Sequence, residues 1–227
     1  MYIYGKNVVK EYIKGNNKIK KIYLYKQFND QEILNGLKDY SINYVEKYEL
    51  DKMVKGNHQG IILVGEDYEY VDIDSIINDN GVIVMLDHIE DPHNFGAIIR
   101  TCEAAGVSGI IIPKNRSVEV TETVIRTSVG ASNYVKIALV TNLSSTIKYL
   151  KKKGYWFIGT DMEGTNYKEI DYSGPICLVI GSEGRGMSRI IKESCDYIAT
   201  IPMKGKVNSL NASVAAGIIV YEAVSRR

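Results

Sequence analysis

The sequence predicts an α/β protein in two parts, a small one followed by a larger, mostly parallel sheet with helices on both faces. Three observations carry this. From residue 79 onward short apolar runs alternate with helical patterns, the order from which parallel sheets are built. GVIVMLDHI (81–89) is an almost unbroken apolar run, as a strand covered on both faces must be. Between the two parts EDYEYVDID (66–74) is acidic, aromatic and without period, and reads as a linker. The expected organisation is therefore a small α/β domain over 1–66, a linker over 67–78 and the main domain over 79–227.

In the small part, GKNVVKEYIKG has helical spacing and KIKKIYLYKQ alternates as a strand. NDQEILNGLKDY is a helix with Asn29 or Asp30 as cap, INYVEKY a strand, ELDKMVKG a short helix and HQGIILVG a closing strand. In the main part, GVIVMLDHI is followed by the helix NFGAIIRTCEAAGV, with Asn94 able to cap it, and then by strand GIIIP. TETVIRTSVGAS is helical, YVKIALV a strand, and NLSSTIKYLKKKG a helix closing at Gly154. YWFIGTDM, ICLVIG and DYIATIP are further strands, and LNASVAAGIIVYEAVSR is the last helix, capped by Ser209 or Asn208.

Composition narrows the function classes. At 45% hydrophobic and 24% charged the chain is ordinary for a soluble globular protein, and no run approaches the roughly 18–20 apolar residues of a membrane span. The N-terminal stretch MYIYGKNVVKEYIKG lacks a secretory apolar core, so a cytoplasmic location is expected. Cys102, Cys177 and Cys195 are too widely spaced for a disulfide framework or a zinc site, and with three His no metal is expected. The net charge of +1 hides an asymmetry: residues 1–26 hold seven Lys against Glu11, whereas 61–90 hold eight carboxylates and no Lys or Arg.

In open parallel sheets, chemistry sits on the loops beyond the carboxyl ends of the strands. Three such loops stand out. DPHNFGAIIRT (91–101) sets Arg100 on a small, apolar helix, where a guanidinium is costly unless it faces solvent or a ligand. ICLVIGSEGRGMS (176–188) is a strand entering a glycine-rich turn that is neither GxGxxG nor a P-loop, and Glu183 within it would repel a phosphate. IPMKGKVNSLNASVAAG (201–217) puts Asn208, Ser209, Asn211 and Ser213 at the mouth of a thin helix of Ala and Gly, more polar groups than capping requires.

These three stretches, in this order and spacing, resemble motifs 1, 2 and 3 of the SpoU (TrmH) class of RNA 2′-O-ribose methyltransferases, in the SPOUT superfamily. IIPKNRSVEVT and YEAVSRR are similar to the same class, and HQGIILVG resembles the end of the small L30e-like RNA-binding domain found in front of some members. The nearest subgroup methylates a guanosine ribose in 23S ribosomal RNA. The resemblance implies S-adenosylmethionine as cofactor, a C-terminal trefoil knot that no periodicity could reveal, and a homodimer. It makes Arg100 the catalytic arginine supported by Asn94, with Glu183, Ser209 and Asn211 completing the active site. Gly181, Ile201 and Leu210 match positions that hold the adenosyl group, with Thr160 and Met203 beside them.

The chemistry suits that inventory. A sulfonium donor is already activated, so the protein must align the 2′-oxygen, worth roughly 7–11 kcal/mol, and take or share its proton, worth about 10²–10⁴-fold. Arginine stays protonated, so Arg100 is better suited to phosphate and alkoxide than to the role of base, which falls to Glu183 or a substrate phosphate. For RNA, Lys6, Lys18, Lys20 and Lys21 are candidates for phosphates, and Tyr2, Tyr4, Tyr12, Tyr23 and Tyr25 for stacking, although alternate tyrosines are expected to face the domain's own core. Two other readings stay open: a tRNA substrate, and a non-catalytic RNA-binding or ribosome assembly factor.

Overall fold

The computed structural model describes residues 1–206 and 209–227 of the 227. The small part comprises β1 (Tyr2–Tyr4), α1 (Lys6–Lys14), β2 (Ile19–Tyr25), α2 (Gln31–Gly36), β3 (Asn43–Val45), α3 (Lys47–Met53) and β4 (Ile61–Gly65). Its strands form one sheet in the order β1-β4-β2-β3. α1 lays Val8, Val9 and Tyr12 on the core, and Asp30 caps α2 by accepting from the Ile33 amide. The three-residue β1 was not legible as a strand, being too short to show a period.

The larger part comprises β5 (Val82–Asp87), α4 (Pro92–Ala105), β6 (Gly109–Pro113), α5 (Glu122–Thr127), β7 (Ile137–Val140), α6 (Leu143–Lys152), β8 (Trp156–Asn166), β9 (Ile176–Gly181), α7 (Arg189–Ser194), β10 (Tyr197–Thr200) and α8 (Ala212–Ser225). The six strands lie in the order β10-β8-β9-β5-β6-β7, and every pairing is parallel. Alternate residues of the central strands feed two cores. Val84, Leu86, Leu178 and Ile180 pack with α4, α5 and α8, whereas Met85, Cys177 and Val179 pack with α6 and α7.

Several expectations change. α4 is capped by Asp91, whose Oδ1 accepts from the His93 amide at 2.9 Å, not by Asn94, because Pro92 takes the first helical position. α8 is capped by Asn211, not Ser209; Asn208, the other candidate, lies outside the described residues. The predicted helix over TETVIRTSVGAS stops at Thr127 because Val129 and Gly130 turn left-handed, at φ 53° and 81°. α7 was missed, since six residues give too few turns for a pattern.

The acidic stretch after β4 is not a free linker. Tyr68 and Tyr70 pack edge to face at 5.1 Å, the Val71 amide donates to Ile137 O at 3.0 Å, and Ile73–Ile76 makes a 3₁₀ turn. The two parts also meet directly. The Tyr2 amide donates to Glu122 Oε1 at 2.8 Å, Arg126 donates to Tyr4 Oη and lies over its ring, and Tyr134 Oη donates to Glu11 Oε2 at 2.9 Å. Among the described residues no helix is long and apolar enough to cross a membrane, and no group of three or more His, Cys, Asp or Glu is placed to hold a metal ion.

Candidate active site

The sheet order explains why two distant loops meet. The chain runs outward from β5 to β6 and β7, then returns to lay β9 on the other side of β5, so β5 and β9 flank the topological switch point. Asp87 and Gly181 are paired neighbours at the two strand ends, and the loops that follow face each other. A cavity of about 420 Å³ opens between them, lined by Asp87, His88, Asn94, Arg116, Glu183 and Arg185 among others.

Three of the predicted residues come together here. Asn211 donates through Nδ2 to Asn94 Oδ1 at 2.9 Å and also to Glu183 Oε1. The Ala212 amide, at the first turn of α8, donates to the same carboxylate oxygen at 3.4 Å. Asn211 Oδ1 meanwhile accepts from the Ser213 amide at 2.9 Å and from Ser213 Oγ at 2.6 Å. One side chain therefore caps α8 and bridges the loops of all three motifs. The carboxylate of Glu183 sits at a helix N-terminus, where the aligned amides favour negative charge. Its Oε2 has no partner among the described residues and belongs to a group lining the cavity.

Other predicted residues stand apart. Arg100 is exposed on α4, six residues from Asn94 and so about 120° around the helix from it, with no hydrogen bond or ion pair to another described residue. Asn94, expected to support it, is buried against Asn211 instead. Ser209 is exposed and makes no side-chain hydrogen bond to another described residue. The predicted cofactor residues are not among those lining the cavity: Thr160 lies within β8, Gly181 ends β9, Ile201 and Met203 follow β10, and Leu210 precedes α8. Thr160 Oγ1 donates to Val179 O at 3.1 Å, Ile201 is half-buried, and Met203 and Leu210 are 38% and 37% exposed.

These residues fit an adenosyl group. From Pro202 to Lys206 the main chain makes no hydrogen bond to another described residue, and exposed apolar side chains stand beside it. Gly181 lies beneath the following loop, where a Cβ would fall 2.3 Å from Gly186 C and from Met187 N. That loop is pinned by paired bonds between Ser182 and Gly186.

Sequence reasoning missed the floor of the cavity. Asp87, 1% exposed, receives the Ser188 amide on Oδ2 at 2.6 Å and holds His88 Nδ1 on Oδ1 at 2.5 Å. His88 adopts φ 61° and Arg116 φ 54°, a backbone region that costs a non-glycine residue roughly 1–3 kcal/mol. Asp87 ends an apolar strand at its carboxyl edge, and a carboxylate in that position was the available signal. None of the cysteines is an activated nucleophile: Cys102 and Cys177 are buried, and burial pushes the Cys195 thiol up to about 12.

The family model described as the SpoU rRNA Methylase family matches residues 81–221, and one described as RNA 2′-O ribose methyltransferase substrate binding matches residues 2–71. YacO of Bacillus subtilis (strain 168), assigned to the TrmH family of tRNA/rRNA methyltransferases, is 41% identical over 238 residues, spanning 100% of this chain and 96% of that protein. The SpoU methyltransferase AviRb from Streptomyces viridochromogenes, solved with the cofactor AdoMet, shares the fold, with a TM-score of 0.87 at 23% identity over 100% of this chain and 89% of that one. The AdoMet-bound rRNA methyltransferase from Sinorhizobium meliloti gives a TM-score of 0.84 at 26% identity, over 99% and 87%. Together with the site these define an RNA methyltransferase that uses S-adenosylmethionine. The chain belongs to the SpoU rRNA methylase family.

Proposed function

We propose that this protein methylates a ribose 2′-hydroxyl in 23S ribosomal RNA, with a guanosine as the target nucleotide. The observation that carries it is the Asn94–Asn211–Glu183 cluster, which holds an open carboxylate oxygen at the edge of the cavity. S-adenosylmethionine, when bound, supplies a methyl group already activated as a sulfonium. Gly181, the main chain after Ile201, Met203 and Leu210 would hold it, with Thr160 tying β8 to β9. Glu183, oriented by Asn211 and by the amide of Ala212, is placed to take the hydroxyl proton. Arg100 and Ser209 act on the RNA itself, Arg100 by binding the phosphate next to the target ribose.

The same reading gives the small domain (1–66) and its linker (67–78) to RNA binding, and the methyltransferase domain (79–227) to the cofactor. It takes the C-terminal segment as knotted, as the resemblance of the three motifs to this class implies. It also makes the protein a cytoplasmic homodimer. α8 is apolar on every side, yet Val214 and Tyr221, seven residues apart, are 49% and 52% exposed, with Gly217 and Ile218 between them. An apolar helix of that kind needs a second cover. Sedimentation of the intact chain should give twice the 25.4 kDa mass, and Tyr221→Glu should give the single mass. A wild-type monomer at micromolar concentration would overturn the dimer.

The activity is tested by offering labelled S-adenosylmethionine with unmodified large-subunit rRNA and, in parallel, unmodified tRNA. Label in alkali-resistant dinucleotides from rRNA alone supports the proposal, and label from tRNA alone establishes the tRNA reading that the name of YacO equally allows. Arg100→Ala should lower turnover about 10²–10³-fold, and Arg100→Lys should not restore it, since an ammonium lacks the planar fork. Cofactor binding with no transfer to either RNA would leave the assembly-factor reading.

A further inference from the structure

A second cavity of about 420 Å³ lies where the small sheet meets α5, lined by Tyr2, Lys20, Lys21, Tyr23, Val64 and Glu122 among others. Register brings these groups together. Tyr2 and Lys21 both pair with Val64 from opposite sides, and Tyr23, two residues after Lys21, points to the same face of the sheet. Further along that face Tyr4 and Ile62 are buried with Leu50 of α3, so the helix covers one end and leaves Tyr2 and Tyr23 half-buried at the other.

The lysines of this domain are not equivalent. Lys6 and Lys10 pair with Asp30, at 3.7 and 3.4 Å, and Lys18 and Lys20 with Glu66, at 2.9 and 3.9 Å. Lys21, exposed at the cavity, has no acidic partner among the described residues. Of the four lysines singled out for RNA, it alone has no acidic partner among the described residues.

Glu122 supplies the remaining group. Its Oε1 accepts the Tyr2 amide at 2.8 Å, while Oε2 has no partner among the described residues. An acidic residue in the first turn of α5 has a helix-terminus role in any case. Yet a carboxylate beside an aromatic, lysine-edged cavity also repels phosphate, and serves there as an acceptor, for which an exocyclic amine offers two N–H donors. Amines are what distinguish cytosine, adenine and guanine from uracil, and a carboxylate accepts from cytosine N4.

We propose that this junction cavity binds one unpaired, amine-bearing base of the RNA, stacked on Tyr2 and Tyr23, with Lys21 on its phosphate and Glu122 Oε2 accepting from the amine. The proposal rests on the reading that the chain acts on RNA. It is separate from the methyl-transfer site, which stands at the carboxyl ends of β5 and β9 and shares no residue with this cavity.

The test is binding of pentacytidylate and pentauridylate to the full chain without methyl donor, by fluorescence anisotropy across a salt series. The wild type should prefer cytidylate. Tyr23→Ala should weaken binding of both about tenfold, and Lys21→Ala should flatten the log–log salt slope by about 0.7. Glu122→Gln keeps an oxygen for the Tyr2 amide and turns an amide donor toward the base, so preference should swing to uridylate. Tyr23→Phe, which preserves the ring, should bind as wild type and guards against loss of folding in Tyr23→Ala. Equal affinity of the wild type for both oligonucleotides, or an unchanged preference in Glu122→Gln, would overturn the proposal. Selective binding in a chain that transfers no methyl group would refute the methyl-transfer reading and leave the base site standing.

Discussion

Asn211→Asp should lower methyl transfer about 10²–10³-fold while the cap of α8 is kept. The two effects separate because Asn211 does two jobs with two different atoms. Its Oδ1 caps α8 by accepting from the Ser213 and Val214 amides, and aspartate caps as well as asparagine does. Its Nδ2 is the only donor it offers to Asn94 Oδ1 and Glu183 Oε1. Aspartate has no such donor and sets a second carboxylate beside Glu183, so the proposed base is repelled from its place. Asn211→Ala should lose the same activity and also about 1 kcal/mol of capping, which for a chain of this size lowers the midpoint by about 2–4 °C. Rates and melting curves of the two variants decide the matter. An aspartate variant within threefold of wild-type turnover would remove Asn211 and the cluster from the chemistry.

What the sequence disclosed, and what it withheld, follows from the range of the forces involved. The strands that carry the site are short apolar runs ended by polar residues, a local signal, and GVIVMLDHI and ICLVIG fold as read. Helices with a clear cap and two or more turns, such as α6 with Asn142, were also legible. β1 and α7 were not, because three residues of strand or six of helix carry almost no periodic information. The contacts of the connecting stretch were hidden for a different reason. Its tyrosines looked unpatterned because each is held by a distant partner, Tyr68 by Val135 O and Tyr70 by the Val120 amide.

The site shows the same division. Asn94, Glu183 and Asn211 were found because their loops resemble the three motifs of the class. That they bond one another, and that Arg100 stands apart from them, depends on how β9 is inserted beside β5, which no local pattern encodes. The lysine excess of residues 1–26 is likewise answered by distant acids. Glu66 and Asp30 each pair with two of the lysines, and Lys21 is left without an acidic partner among the described residues.

Gly181→Ala should abolish cofactor binding at concentrations that saturate the wild type, a loss of about 10²-fold or more. Its backbone is not left-handed, so the effect is one of space and not of strain. The added Cβ would stand 2.3 Å from Gly186 C and Met187 N and 2.7 Å from Gly186 O. All three are main-chain atoms, so no side chain can rotate away, and the loop or the end of β9 must move by about 1 Å to reach ordinary contact. A displacement of that size at a binding centre costs about 10²-fold, and overpacking of this kind costs a further 1–3 kcal/mol of stability. Gly184→Ala is the matched control. It lies in the same loop, at φ 78°, with nothing within 4 Å of its Cβ, so it strains the backbone without moving β9. Calorimetric titration with S-adenosylmethionine should show binding lost in the first variant and kept within a few-fold in the second. Equal losses would mean that loop conformation matters and that the crossing over Gly181 does not. Unchanged affinity in Gly181→Ala would place the adenosyl group elsewhere, with the cavity beside Asp87 the next region to probe.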